Sequence, residues 1–210
     1  MKVLKLNQGS KEWYRAREGK MTASEAPVMM GVSKYQSRTA LLKQKATGTF
    51  PDVTPFQQQL YDKGHTAEAL ARPHVEKLIG EELFPTTGIS EQYDWMLASF
   101  DGVTLLDDVV YEHKLWNDEL AKDVMAETLS PHYYWQLEQQ LLVSGAGQVI
   151  FVCSDLTDGR EPVEGENFVY CWYESIPERA WPCLMAGSCF GRSWLPTSPS
   201  RKLSGPMRPR

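Results

Sequence analysis

Residues 96–116 read MLASFDGVTLLDDVVYEHKLW. Gly102 to Leu105 and Val109 to Leu115 are rich in β-formers, and Leu106-Asp107-Asp108 between them is a turn candidate. With the hairpin axis between Leu106 and Asp107, Asp101 stands directly opposite Glu112. Cross-strand partners share a face, and strand side chains repeat every second residue, so Lys114 joins them. One surface then carries two carboxylates and an ammonium. Hard cations such as Mg²⁺ take oxygen ligands of this kind, and a nearby lysine can steady a bound water or a developing phosphorane charge. A hairpin with one wet, polar side would show the same short pattern, so the rest of the chain decides.

The 210 residues suit one domain with embellishments. We expect that domain over 1–192 and a basic, flexible C-terminal tail over 193–210. A hydrophobic fraction of 42% with seven Trp excludes wholesale disorder. The start MKVLKLNQGS has no apolar signal core, and no run reaches membrane-spanning length, so no membrane association is expected. Cys153, Cys171, Cys183 and Cys189 form no C-x-x-C pair and have no zinc-site spacing, which fits reduced thiols in a cytosolic protein. The net charge of −5 hides an uneven distribution. Residues 1–50 hold ten Lys/Arg against three Asp/Glu, and 192–210 hold five Lys/Arg and no acid. The acids gather in the middle, as in a protein whose rim meets phosphates and whose centre holds cations.

Upstream of the hairpin, Trp13 and Ala16 mark a short helix ended at Gly19. Thr22-Ala23-Ser24-Glu25 has the form of a capping box, and Ser24 could serve as the cap instead. In both cases a helix starts near Ser24, and its free N–H groups make an anion site within reach of Arg17. Ser37 to Lys45 is a second short helix. Phe56 to Ile79 is a longer one, with Leu60, Ala67, Leu70, Ala71, Val75 and Leu78 apolar and with Gly64 and Pro73 as expected breaks or bends. Glu68 lies in it, spaced to pair with Arg72 on a solvated face; a functional Glu68 must instead look at the hairpin. Leu83 to Ser90 and Trp95 to Phe100 are strands. Asn117 to Thr128 is helical or irregular. Ser130-Pro131 opens a helix that stops at Gly145. Its Gln136, Gln139 and Gln140 are, on a bland reading, solvated helix formers. Gln148 to Cys153 and Asn167 to Tyr173 are strands, and Pro177 to Phe190 is a closing helix.

In order along the chain stand Trp13, Arg17, Gly19 and Thr22-Ala23-Ser24, then Gly64 and Glu68, then Ser99-Phe100-Asp101-Gly102, then Glu112-His113-Lys114, then Tyr133, Gln136, Leu137 and Gln140. This series resembles the lambda-type alkaline exonucleases, the YqaJ-like viral recombinase nucleases of the PD-(D/E)XK class. Phe100 departs from the family pattern, which has proline there. The resemblance implies an α/β (α+β) fold, a central mixed sheet flanked by helices.

It implies a Mg²⁺-dependent exodeoxyribonuclease that degrades one strand of linear duplex DNA 5′→3′ and leaves 3′ single-stranded overhangs for phage-type recombination by strand annealing. Asp101, Glu112 and the backbone carbonyl of His113 would bind metal, and Glu68 would support a second metal or its water. That makes two Mg²⁺ per site, with Mn²⁺ a substitute. Lys114 and Gln136 would orient the attacking water, and Arg17 and Ser24 would hold the 5′-phosphate. Its partners would be double-stranded DNA ends, two further copies in a homotrimeric ring, and a single-strand annealing protein, all in the cytoplasm of a bacterial host. The alternatives are another PD-(D/E)XK enzyme, an endonuclease, or a catalytically inactive scaffold that binds DNA ends.

Overall fold

The computed structural model describes residues 1–49 and 52–194, with side chains described up to 186. Among the described residues seven strands form one mixed sheet: β1 (Lys2–Leu4), β2 (Met21–Thr22), β3 (Phe84–Ile89), β4 (Met96–Val103), β5 (Val109–Leu115), β6 (Gln148–Ser154) and β7 (Phe168–Glu174). The order is β1-β3-β4-β5-β6-β7, and β2 runs parallel to the start of β4. Strand β5 is antiparallel to β4 and parallel to β6. The helices are α1 (Lys11–Arg17), α2 (Ala26–Met29), α3 (Arg38–Thr47), α4 (Pro55–Ile79), α5 (Asp118–Met125), α6 (Pro131–Ser144) and α7 (Pro177–Trp194).

Two apolar clusters sandwich the sheet. Ala71 and Val75 of α4 pack on Leu83, Val109, Tyr111, Ile150, Val152 and Phe168. The larger cluster joins α2, α5 and α6 to alternate strand residues that include Met96, Phe100, Val103, Val110, Val149 and Phe151. Along β5 the alternation sends Tyr111 to α4 and Val110 to the other side.

Helix α4 is continuous through Gly64 and Pro73, against the expected break. A proline costs a helix one N–H bond. Here the buried Ala67, Ala71 and Val75 anchor the same turns to the sheet and offset that cost. Leu60, Leu70 and Leu78, expected on its apolar face, are exposed, so the buried stripe is narrower than the hydrophobic pattern. The helix expected from Ser24 is also shorter than its cap predicts. Ala23–Glu25 form a 3-10 turn, which leads into the four-residue α2. Thr22 N–H donates to Glu25 Oε2 at 2.9 Å, so Thr22 rather than Ser24 is the cap. Of the hairpin's first run, β4 ends at Val103, and Thr104 and Leu105 belong to the turn. Helix α7 extends past the expected domain boundary to Trp194; the remainder of the expected tail lies outside the described residues. Cys153, Cys171 and Cys183 are buried free thiols, and burial pushes the Cys153 thiol up to about 11. Among the described residues no helix is long and apolar enough to cross a membrane.

Candidate active site

The hairpin register is the one the sequence required. Gly102 pairs with Tyr111 and Val103 with Val110, the register that sets Asp101 next to Glu112, and both residues line one pocket. The backbone N–H of His113 donates to Asp101 Oδ2 at 2.8 Å. Strand β4 carries a bulge at this point. Phe84 pairs with Val103 and Thr86 with Phe100, so Asp101 and Gly102 together stand opposite Pro85. An extra residue reverses the in–out phase of a strand. Phe100 and Val103 therefore both enter the larger cluster, while a Cβ on Gly102 would meet Leu83 at 2.8 Å on the α4 side. The bulge brings Asp101 to the pocket that Glu112 also lines. Pro85, which has no N–H for the ladder, is the sequence signal for it.

Beyond the bulge β4 and β5 no longer pair, and α6 fills the gap. Glu112 is buried and takes three donors: Lys114 Nζ and Gln136 Nε2 (2.5 Å) on Oε1, and Gln140 Nε2 (2.6 Å) on Oε2. Gln139 Nε2 donates to the carbonyls of Met21 (2.8 Å) and Leu97 (3.2 Å), which ties β2 and β4 to α6. Gln139 and Gln140 are thus fully buried, not solvated. The amide oxygen of Gln140 has no partner, yet a flipped amide would set that oxygen against the Glu112 carboxylate; Glu112 dictates the orientation.

Burial, then the charges of Glu112 and Glu68, hold the Asp101 carboxyl well above its usual range; Lys114 and the His113 N–H offset this in part. Burial pulls the Lys114 ammonium down, but Glu112 and Asp101 outweigh it and leave its pKa raised. The ion pair expected of Glu68 is present, and its charge also reaches Asp101. Glu68 pairs with Arg72 at 2.6 Å, and its backbone carbonyl accepts from the Tyr111 hydroxyl at 3.3 Å. Arg72, given no role by the sequence, also donates from Nε to the Asp101 carbonyl at 3.2 Å. The His113 ring lies on the α4 side beside Tyr111 and bonds Ser154 Oγ at 2.9 Å, and burial lowers its pKa to about 3. It takes no part in the carboxylate site.

Arg17 lies over the Trp13 ring at 4.1 Å and donates to Thr22 Oγ1 at 3.4 Å; Thr22 Oγ1 is 3.3 Å from Ser24 Oγ. The Trp13 indole N–H donates to Ser99 Oγ at 3.0 Å. A pocket of about 190 Å³ is lined by Gln8, Trp13, Arg17, Ala23, Ser24, Ser99, Asp101, Glu112, Lys114 and Gln136. It unites residues from opposite ends of the motif series. Glu68 stays outside its lining. Gln8, in the loop after β1, carried no signal in the sequence. Among the described residues no group of three or more His, Cys, Asp and Glu forms a metal cage by itself. Two carboxylates with a third charge nearby suit a cation that keeps several waters, as Mg²⁺ does. The raised proton affinity of Asp101 marks negative charge that such a cation would neutralise.

An Asp at a bulge, a Glu-x-Lys strand beside it and a helix closing the fork between them define a PD-(D/E)XK nuclease-like fold. Within that class the chain belongs to the YqaJ-like viral recombinase domain family, which it matches over residues 12–147. Its fold is similar to that of an alkaline exonuclease (LHK-Exo) from Laribacter hongkongensis, at 22% identity and a TM-score of 0.71 over 88% of this chain and 92% of that one. The same enzyme in complex with dAMP gives the same figures. A phage-related exonuclease from Haemophilus somnus 129PT matches at 12% identity and a TM-score of 0.56, over 83% of this chain and 94% of that one. No curated protein matches the chain.

Proposed function

We propose that the chain is a metal-dependent exodeoxyribonuclease that removes 5′ nucleotides from one strand of linear duplex DNA and leaves 3′ overhangs for recombination by strand annealing. The observation that carries this reading is the shared pocket: Arg17 and Ser24 line the same cavity as Asp101, Glu112, Lys114 and Gln136. An anion held by Arg17 and Ser24 would share that cavity with the carboxylates and bring the neighbouring phosphodiester to them. Family membership and the likeness to a structure described as an alkaline exonuclease support it.

Asp101, Glu112 and the His113 carbonyl would hold Mg²⁺ or Mn²⁺, with Glu68 serving a second ion or its water. The bound metal would supply Lewis-acid polarisation of the phosphate and an acidified water. The chain's own residues do the rest. The Arg17 guanidinium binds the terminal phosphate in the two-pronged manner its geometry favours, beside the Ser24 hydroxyl. Arg17 is desolvated by burial, which strengthens its attraction for an anion. Lys114 faces the phosphoryl oxygens and offsets the charge that builds there. Gln136 donates one amide N–H to Glu112, which leaves its amide oxygen and its second N–H for the attacking water. Glu112 stays fixed by its three donors while the water is oriented. A homotrimeric ring and a single-strand annealing partner belong to the same proposal.

The test is a degradation assay on linear duplex labelled at the 5′ or the 3′ end, with Mg²⁺ or with EDTA, beside a covalently closed circle. Early loss of the 5′ label with Mg²⁺, none with EDTA and an intact circle is the expected result. A cut circle would favour an endonuclease, and binding of ends without cleavage would favour a scaffold.

A further inference from the structure

Lys45 of α3 is a lysine of unusual placement: its side chain is 3% exposed. Lysine is almost never buried unless its charge is paired. The Lys45 ammonium has three protons and meets three acceptors: Glu25 Oε2 at 2.8 Å, the Lys20 carbonyl at 2.8 Å and the Arg17 carbonyl at 3.3 Å. All three belong to the segment 17–25. Its side chains Arg17 and Ser24 line the pocket, and Thr22 stands within hydrogen-bond distance of both. Glu25 is itself a junction, since Oε2 also accepts from Thr22 N–H.

This segment has little regular structure to stiffen it. Between the end of α1 and α2 it contains a left-handed turn at Gly19 (φ 66°), the two-residue β2 and one 3-10 turn. Few repeating hydrogen bonds hold it, so its shape depends on contacts from elsewhere. Strand β4 and Gln139 hold its middle at β2, and Lys45 holds both ends: two carbonyls before β2 and one carboxylate after it. Burying an ammonium is expensive, and an apolar side chain would fill the same space at lower cost. What an apolar side chain lacks is three directed donors.

We propose that Lys45 is a positioning residue for recognition of the 5′-phosphate: it locks the segment 17–25 in the one shape that turns Arg17 and Ser24 toward the same anion. The proposal rests on the reading of Arg17 and Ser24 given above. Lys45 itself lies beneath the segment, touches its backbone and does not line the pocket.

The experiment compares initial rates on 5′-phosphorylated and 5′-hydroxyl linear duplexes with Mg²⁺ at one salt concentration, for wild type, Lys45→Met, Arg17→Ala and the double variant Lys45→Met/Glu25→Gln. Thermal midpoints are measured alongside. The double variant removes the carboxylate that Lys45→Met leaves unpaired and keeps an amide oxygen for Thr22 N–H, so it stays folded if the single variant does not. Misplacing a binding group by an ångström costs up to about a hundredfold. Both Lys45 variants are therefore expected to lower the phosphate-to-hydroxyl rate ratio about ten- to a hundredfold, largely through KM on the phosphorylated end, with the hydroxyl end changed far less. Equal slowing of both ends, or an unchanged ratio with a lowered midpoint, would make Lys45 a plain structural residue and overturn the proposal. If wild type shows no preference, or Arg17→Ala leaves it intact, the phosphate-site reading falls and takes the role of Lys45 with it. If wild type and Arg17→Ala behave as expected while both Lys45 variants keep the full ratio, the role of Lys45 alone is overturned.

Discussion

Replacing Asp101 by Asn should make the metal-free protein more stable while abolishing cleavage. In the native chain this carboxylate is buried beside Glu112 and within range of Glu68, and both charges oppose its ionisation. Asn keeps an oxygen for the His113 N–H, which donates to Asp101 Oδ2, and removes the charge. An acid whose folded pKa is raised binds its proton more tightly folded than unfolded, so the native protein loses stability as pH climbs from the unfolded value, about 3.9, toward the raised one. Asn has no such loss. The two proteins should match near pH 4, and the gap should widen with pH and then level off. A tenfold difference in proton affinity between the folded and unfolded chain is worth about 1.4 kcal/mol. Each such factor, in a chain of this length, raises the midpoint by roughly 3–6 °C. Added Mg²⁺ should stabilise the native protein and not the variant, so the gap closes. Thermal melts from pH 4 to 8.5, in EDTA and in Mg²⁺, give the answer. A variant less stable than wild type at pH 8 in EDTA, with a gap that ignores pH, would mean that the carboxylate is already satisfied, and the cation site would lose its electrostatic basis.

Lys114→Ala should still bind DNA ends in Ca²⁺ yet cut about 10²–10⁴-fold more slowly in Mg²⁺; normal turnover would reduce Lys114 to the surface lysine of a hairpin. Gly102→Ala should cost about 1–3 kcal/mol, because its Cβ would meet Leu83 Cβ at 2.8 Å and Tyr111 Cδ1 at 3.3 Å; a neutral result in urea unfolding would show that the bulge adapts. Glu138→Ala should cost about 3 kcal/mol in the same assay, since it strips a buried acceptor from the Tyr173 hydroxyl (2.5 Å), Ser175 Oγ (2.7 Å) and Ile176 N–H (2.9 Å).

The hairpin was legible because its information is local: a turn, two β-rich runs and the register they impose. Asp101, Glu112 and Lys114 followed from it. Gln139 and Gln140 misled, since glutamines on a helix read as solvated. Their amides are buried because β4 and β5 separate beyond the bulge, and the Gln139 partner Met21 is 118 residues away. Strands β1 and β2 have three and two residues, too short for any alternation to register. Glu68 looked like half of a surface pair, and the pair exists, but the helix turns it toward Asp101. The roles of Lys45 and Arg72 depend on carbonyls that no side-chain pattern records.

The parallel pairing of β5 with β6 sets the order in which a nascent chain can become functional. Asp101 and Glu112 meet as soon as the hairpin closes. The amides that fix Glu112 come at 136 and 140, and the strand that covers the far edge of β5 ends at Ser154. At synthesis rates of about 5–20 residues per second, roughly forty residues between Glu112 and Ser154 take about 2–8 s. Until then the chain lacks the strand that pairs with β5 and, up to residue 140, the amides that bond Glu112. The carboxylates are thus in place in the chain before the groups that hold and cover them. The same dependence on distant pairing makes folding slow compared with a helical bundle of equal size.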